Sequence, residues 1–206
     1  MNSPGDDNGS MIAKLRDEVV ACRRCPLSET RHRVIFGEGN PRAPIMVIGE
    51  GPGKDEDIQG RPFIGKSGQL LDKILLACNF TREKHVFISN IVKCRPPGNR
   101  PPTDQEAKVC MPWLYQQIDL VNPHILVLLG ATSLRYMLGN QYRITRVRGT
   151  WLTWFDKLVM PVFHPAALLR NPALKRPTWE DYKKIFHKYR EVADPAHTSV
   201  HIPVNP

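Results

Sequence analysis

"PIMVIGEGPG", residues 44–53, runs from an apolar segment straight into a glycine-rich turn. The apolar part is too short for a buried helix and is bounded by turn residues, which reads as a fully buried strand. Three more runs share that character: "HVFISN" (85–90), "HILVLLG" (124–130) and "KLVMPVFH" (157–164). Nearly continuous apolar strands that alternate with helical stretches indicate a parallel sheet covered on both faces. The sequence therefore predicts an α/β protein, a three-layer α/β/α sandwich with a central, mostly parallel four-stranded sheet.

The stretches between the strands carry helical periodicity. In "GKSGQLLDKILLACNF" (65–80), Leu70, Leu71, Ile74, Leu75 and Cys78 fall on one face. Thr103 with Glu106 three residues later has the form of a capping box and opens a helix through "DQEAKVCMPWLYQQIDLV". "ATSLRYML" (131–138) supplies a short helix, with further helices at about 11–22 and 178–192. One domain over residues 11–192 is expected, with a disordered leader (1–10) and a flexible tail (193–206).

In an open parallel sheet, ligands bind beyond the carboxyl ends of the strands. Those ends read "GEGPG", "SN", "GAT" and "HP". Four chemically capable ends on one rim make that rim the expected site.

The 206 residues carry a net charge of +9, which favours polyanionic partners, nucleic acid foremost, or else a merely basic surface. No apolar run approaches the ~20 residues that span a bilayer. The opening "MNSPGDDNGS" lacks the basic and apolar regions of a secretory signal.

One motif competes for the site. "GRPFIGKS" (60–67) spells a P-loop. A P-loop, however, wraps phosphate directly between a strand and its helix, whereas here "KDEDIQ" separates the segment from its strand. Pro62 also removes one N–H from the cradle. The spelling is therefore not expected to be a nucleotide site.

Five cysteines occur. Cys78 lies on an apolar helix face and reads as core. Cys22 and Cys25 form a C-x2-C pair followed by proline, and Cys94 and Cys110 are more widely spaced. Without a secretory signal a metal site is preferred to disulfides. The spacing alone admits an iron–sulfur cluster, zinc, or thiols that share no site.

Taken together, "GEGPGKDEDIQGRPFIGKSGQLLDKIL", "FISNIVKCRPPGNRPPTDQEAKVC", "HILVLLGA" and "VFHPAALLRNP" resemble the family 4 uracil-DNA glycosylases, over roughly residues 11–190. The resemblance implies a cytoplasmic prokaryotic repair enzyme, monomeric and without membrane attachment, that acts on uracil in single- or double-stranded DNA. It implies a [4Fe–4S] cluster on Cys22, Cys25, Cys94 and Cys110. Glu50 matches the acidic residue of the first motif and a candidate for positioning water; Gly51 beside it belongs to the loop that supplies backbone contacts to uracil. Phe63 matches the aromatic that stacks on uracil, Asn90 the side chain that reads its edge, and His164 the histidine near O2. Leu168, Leu169 and Arg170 match the loop that enters the DNA minor groove. A related branch forms a DNA adduct through a histidine in an Arg-rich insertion; that insertion is absent from "KCRPPGNRPP", which favours hydrolysis. Many family members have Ser where this chain has Ala166, so a hydroxyl contact to phosphate is lacking here.

The chemistry fits these residues independently. Uracil offers N3–H and O4 to an amide that can both accept and donate, and cytosine would leave that amide mispaired. The base must leave the stack before its glycosidic bond is reachable. A donor at O2 stabilises the departing anion. No lysine is matched to a Schiff-base role, so a monofunctional glycosylase that leaves an abasic site is expected.

Overall fold

A computed structural model describes residues 6–204. Six strands form one sheet: β1 (Glu38–Gly39), β2 (Ile45–Gly49), β3 (Val86–Asn90), β4 (Ile125–Leu129), β5 (Leu152–Trp154) and β6 (Lys157–Val162), in the order β1-β3-β2-β4-β6-β5. The inner four are parallel, and β1 and β5 pair antiparallel at the two edges. The four expected strands are thus the parallel core, and the sheet is wider than the sequence indicated. Two- and three-residue edge strands are too short to carry an apolar period of two.

Nine α-helices connect and cover these strands among the described residues: α1 (Asp6–Val20), α2 (Leu27–Thr30), α3 (Lys54–Gln59), α4 (Lys66–Ala77), α5 (Asp104–Val121), α6 (Gly130–Leu138), α7 (Ile144–Val147), α8 (Pro165–Arg170) and α9 (Lys175–Val192). Successive strand residues face opposite layers. Met46 and Ile48 of β2 join Leu126 and Leu128 of β4 in a core closed by α1, α5 and α6. Ile45 and Val47 join Ile125 and Val127 against α4 and α9. This alternation is the physical content of the three-layer sandwich.

The capping box at α5 forms as the sequence indicated: Thr103 Oγ1 accepts from the Glu106 N–H at 3.2 Å, and Glu106 accepts from the Thr103 N–H at 2.8 Å. Helix α1 begins at Asp6, so the boundary drawn at residue 11 falls inside it; residues 1–5 of the expected leader lie outside the described residues. Residues 193–204, read from the sequence as a tail, run back over the end of α4. Ser199 Oγ donates to Ala77 O at 2.7 Å, and a ring nitrogen of buried His197 meets Cys78 O at 2.9 Å. These contacts satisfy carbonyls that a helix end leaves open. Among the described residues no helix is long and apolar enough to cross a membrane.

The chain leaves central β2 for β3 on one side and reaches β4 on the other. A crevice therefore opens above the carboxyl end of β2, where open α/β sheets bind ligands.

Candidate active site

That crevice is a cleft of ≈ 820 Å³, and Glu50, Gly51, Phe63, Asn90 and His164 all line it. Gly49 and Asn90 are register partners at the ends of β2 and β3. A β-carbon on Gly49 would lie 2.4 Å from Asn90 Oδ1 and 2.6 Å from the Phe63 ring. Glycine there lets the amide and the ring meet over the strand end. Asn90 is 1 % exposed, and its Oδ1 is buried without a hydrogen-bond partner. An orphaned buried acceptor is costly, and in a cleft wall it marks a place for a donor from outside.

Phe63 holds a left-handed backbone, φ 52°, which is strained for a bulky residue. Arg82 fastens it by donating to Pro62 O at 2.9 Å and Phe63 O at 2.8 Å while chelating Asp72 of α4. The Phe63 ring lies 5.8 Å from that of His164, tilted by 34°. Phe63 belongs to the apolar core as well as to the cleft wall.

His164 is the N-cap of α8, and its Nδ1 accepts from the Ala166 N–H at 3.1 Å. With Nδ1 an acceptor, the proton of the neutral ring is on Nε2. Burial lowers the His164 pKa to about 4; Arg170 adds to the shift and Glu56 opposes it. The imidazole is therefore a neutral donor at neutral pH. Gly130, φ 86°, opens α6 directly behind it, and a β-carbon there would meet His164 Cβ at 3.0 Å.

Thr132 of α6 donates from Oγ1 to Glu50 Oε2, which aims that carboxylate. Glu56 joins the two site loops: it accepts from the Gly53 N–H at 3.1 Å and from the Ile64 and Gly65 N–H groups at 3.0 Å each. Two amides of the apparent P-loop are thus already bound to a carboxylate of the same chain. The segment also follows helix α3 rather than a strand, so no phosphate cradle exists. The sequence did not single out Glu56, Thr132 or Arg82, although Thr132 stands in the "GAT" of the strand-end rim.

The trio at the end of α8 divides. Leu168 is buried, 1 % exposed, so its side chain serves the core rather than the expected DNA contact, whereas Leu169 and Arg170 are exposed. Ala166 lines the cleft with no hydroxyl to offer.

Cys22, Cys25, Cys94 and Cys110 line one small internal cavity on the other side of β3. Three of the sulfurs accept hydrogen bonds: Cys94 from Arg31 at 3.0 Å, Cys110 from the Lys93 N–H at 3.3 Å and Cys22 from Trp113 Nε1 at 3.4 Å. Burial pushes the Cys94 thiol up to about 11 and raises Cys25 and Cys110 as well. Among the described residues no three His, Cys, Asp or Glu side chains are grouped as they would be around a single metal ion.

The sequence model of the Uracil DNA glycosylase superfamily matches residues 36–184. The chain belongs to that superfamily. Within it the chain is 45% identical to a "Type-4 uracil-DNA glycosylase" of Thermotoga maritima, over 82% of this chain and 89% of the relative. It is 43% identical to the protein of that name from Sulfurisphaera tokodaii (84% and 83% covered) and 42% identical to that of Saccharolobus solfataricus (87% and 85% covered). The matched span of the superfamily contains every cleft residue described above, and Cys22 and Cys25 precede it.

Proposed function

We propose that this glycosylase-family protein hydrolyses the N-glycosidic bond of uracil in DNA and leaves an abasic site, in keeping with relatives named type-4 uracil-DNA glycosylases. The observation that carries the reading is the partnerless, buried Oδ1 of Asn90, in the wall of a cleft that Phe63 and the neutral imidazole of His164 also line. Uracil N3–H supplies the missing donor, and the Asn90 amide N–H returns one to O4. The base enters by leaving the stack and lies against Phe63.

Loss of uracil places negative charge on O2, where His164 Nε2–H donates. A neutral imidazole suits this task, since the proton is shared rather than transferred to a base that departs as an anion. Glu50, held by Thr132, orients the water that attacks the sugar carbon on the face opposite the leaving base. Water and not a side chain is the nucleophile, so the reaction is monofunctional. Gly51 supports the base through the backbone of its loop. Arg170 lines the cleft, Leu169 beside it is exposed, and both would contact the DNA.

Cys22, Cys25, Cys94 and Cys110 would hold a [4Fe–4S] cluster. A common cavity and N–H donors on three sulfurs suit anionic thiolates, and binding would displace the thiol protons. Bound there, the group would cross-link the segment after α1 to β3 and α5; no step of the hydrolysis passes through it. The protein is proposed to act as a cytoplasmic monomer.

The test is single-turnover excision on a uracil-containing oligonucleotide, read as alkali-labile sites. His164→Ala is expected to lose about 10²–10³-fold in rate, the typical cost of one donor at a developing oxyanion. Asn90→Asp is expected to abolish selective removal of uracil. Iron-replete wild type that releases no uracil would sink the reading.

A further inference from the structure

Lys93 lies between the cleft and the cysteine cavity and is as buried as the core, 1 % exposed. Its ammonium has three protons, and each has an acceptor: Ser89 Oγ at 2.6 Å, Asn90 O at 2.8 Å and Gln117 Oε1 at 2.7 Å. Ser89 Oγ in turn donates to Gln117 Oε1 at 2.8 Å, and Gln117 Nε2 is anchored on Phe36 O at 2.7 Å. Ser89 and Gln117 are fully enclosed. This network holds the main-chain carbonyl of Asn90 at the strand end that carries its amide.

None of the three acceptors carries a charge. A buried ammonium without a counter-charge is strongly unfavourable, and hydrogen bonds to neutral groups compensate it only in part. Lys93 lines the same cavity as Cys22, Cys25, Cys94 and Cys110, and its own backbone N–H donates to Cys110 Sγ at 3.3 Å. Four thiolates round an iron–sulfur cluster carry a net negative charge, which the cavity places beside this cation.

We propose that Lys93 is a positioning residue that couples the two sites: its ammonium, held by Ser89 and Gln117, fixes the main chain of Asn90, and the anionic cluster site supplies its counter-charge. The role of Asn90 rests on the glycosylase reading; the charge pairing does not. Filling of the cysteine site is then felt at the uracil-reading amide through one side chain, with no movement of either element required. Lys93→Met removes the charge and all three donors at similar length. Gln117→Met removes one acceptor and leaves the charge.

The experiment uses the intact chain, purified anaerobically with iron and sulfide quantified. Potentiometric titration without DNA reads the charge pairing. The reduction potential of Lys93→Met is expected to shift to a more negative value, because losing a nearby cation disfavours the added electron. That of Gln117→Met is expected to stay at the wild-type value. Single-turnover excision reads the positioning: both variants are expected to lose about 10- to 100-fold in rate, the usual cost of an outer-shell partner, with affinity for DNA unchanged. An unmoved potential in Lys93→Met overturns the pairing, and wild-type excision by that variant overturns the positioning. If Lys93→Met takes up no iron, uptake by Lys93→Arg supports the pairing and its failure overturns it. Gln117→Met then decides the positioning. Wild type that leaves uracil in DNA would sink the glycosylase reading alone, since the potential still decides the pairing.

Discussion

Two features settle which proton His164 carries into the reaction. The Ala166 N–H occupies Nδ1, which leaves the proton on Nε2, and burial with Arg170 lowers the pKa to about 4. A free histidine gains its charge near 6.5. A rate that needed imidazolium would fall as pH rises through that value, whereas a neutral donor already present at pH 6 gives no such fall. The ratio of wild-type to His164→Ala excision rates cancels the titration of every other group common to both. It is expected to hold constant between about pH 5.5 and pH 8.5. A collapse of that ratio centred near 6.5 on raising the pH would show that the imidazolium does the work. Residues such as His164 and Asn90 were legible because strand ends point to the rim where ligands bind. Their supports were not. Thr132 meets Glu50 across 82 positions of sequence, and Arg82 reaches back 19 to Phe63. A hydrogen bond of that span leaves no periodic trace in a single chain.

At the scale of the element, the start of α4 decides whether Phe63 can be where it is. "GRPFIGKS" draws the eye to Gly60, Gly65 and Lys66, yet the demanding glycine is Gly68, one residue beyond the motif. A β-carbon on Gly68 would sit 1.9 Å from Phe63 O and 2.0 Å from Phe63 C. Those are backbone atoms, already held by Arg82, and they cannot step aside as a side-chain tip could. Alanine in an ordinary helix interior is favoured over glycine by about 1 kcal/mol. Here the clash overrides that gain. Gly68→Ala is expected to destabilise the protein by about 1–3 kcal/mol, as overpacking does, and to depress uracil excision. Denaturant unfolding and single-turnover rates check both parts, and a variant as stable as wild type with full activity would contradict the packing argument. The inner strands were readable as nearly continuous apolar runs of five or more residues, and the long helices because each keeps one period. Edge strands β1 and β5 were not, since their pairing is dictated by β3 and β6 rather than by any pattern of their own.

Over the whole molecule the charge is +9, and the cleft sets four cationic side chains beside Glu50, Asp55 and Glu56. Lys54, Lys66, Arg100 and Arg170 line it. Arg100 is spent on Glu106, at 2.7 and 2.8 Å, and that pairing holds the carboxyl at about 2. Lys66 stands at the N-terminus of α4 with no acidic residue in the first turn. On the proposed function it would neutralise a phosphate beside the flipped nucleotide. Each phosphate neutralised on duplex DNA contributes about −0.9 to the slope of log K against log salt. Lys66→Ala is therefore expected to make that slope shallower by about 0.9 on uracil-free duplex, where no turnover intervenes, as read by fluorescence anisotropy across a salt series. Substituting a lysine outside the cleft, such as Lys188, which is paired with Glu191, should leave the slope unchanged. A diffusely basic surface would instead respond alike to both substitutions. Equal slopes for the two variants would return the charge of this protein to a matter of solubility and remove Lys66 from the DNA-binding face.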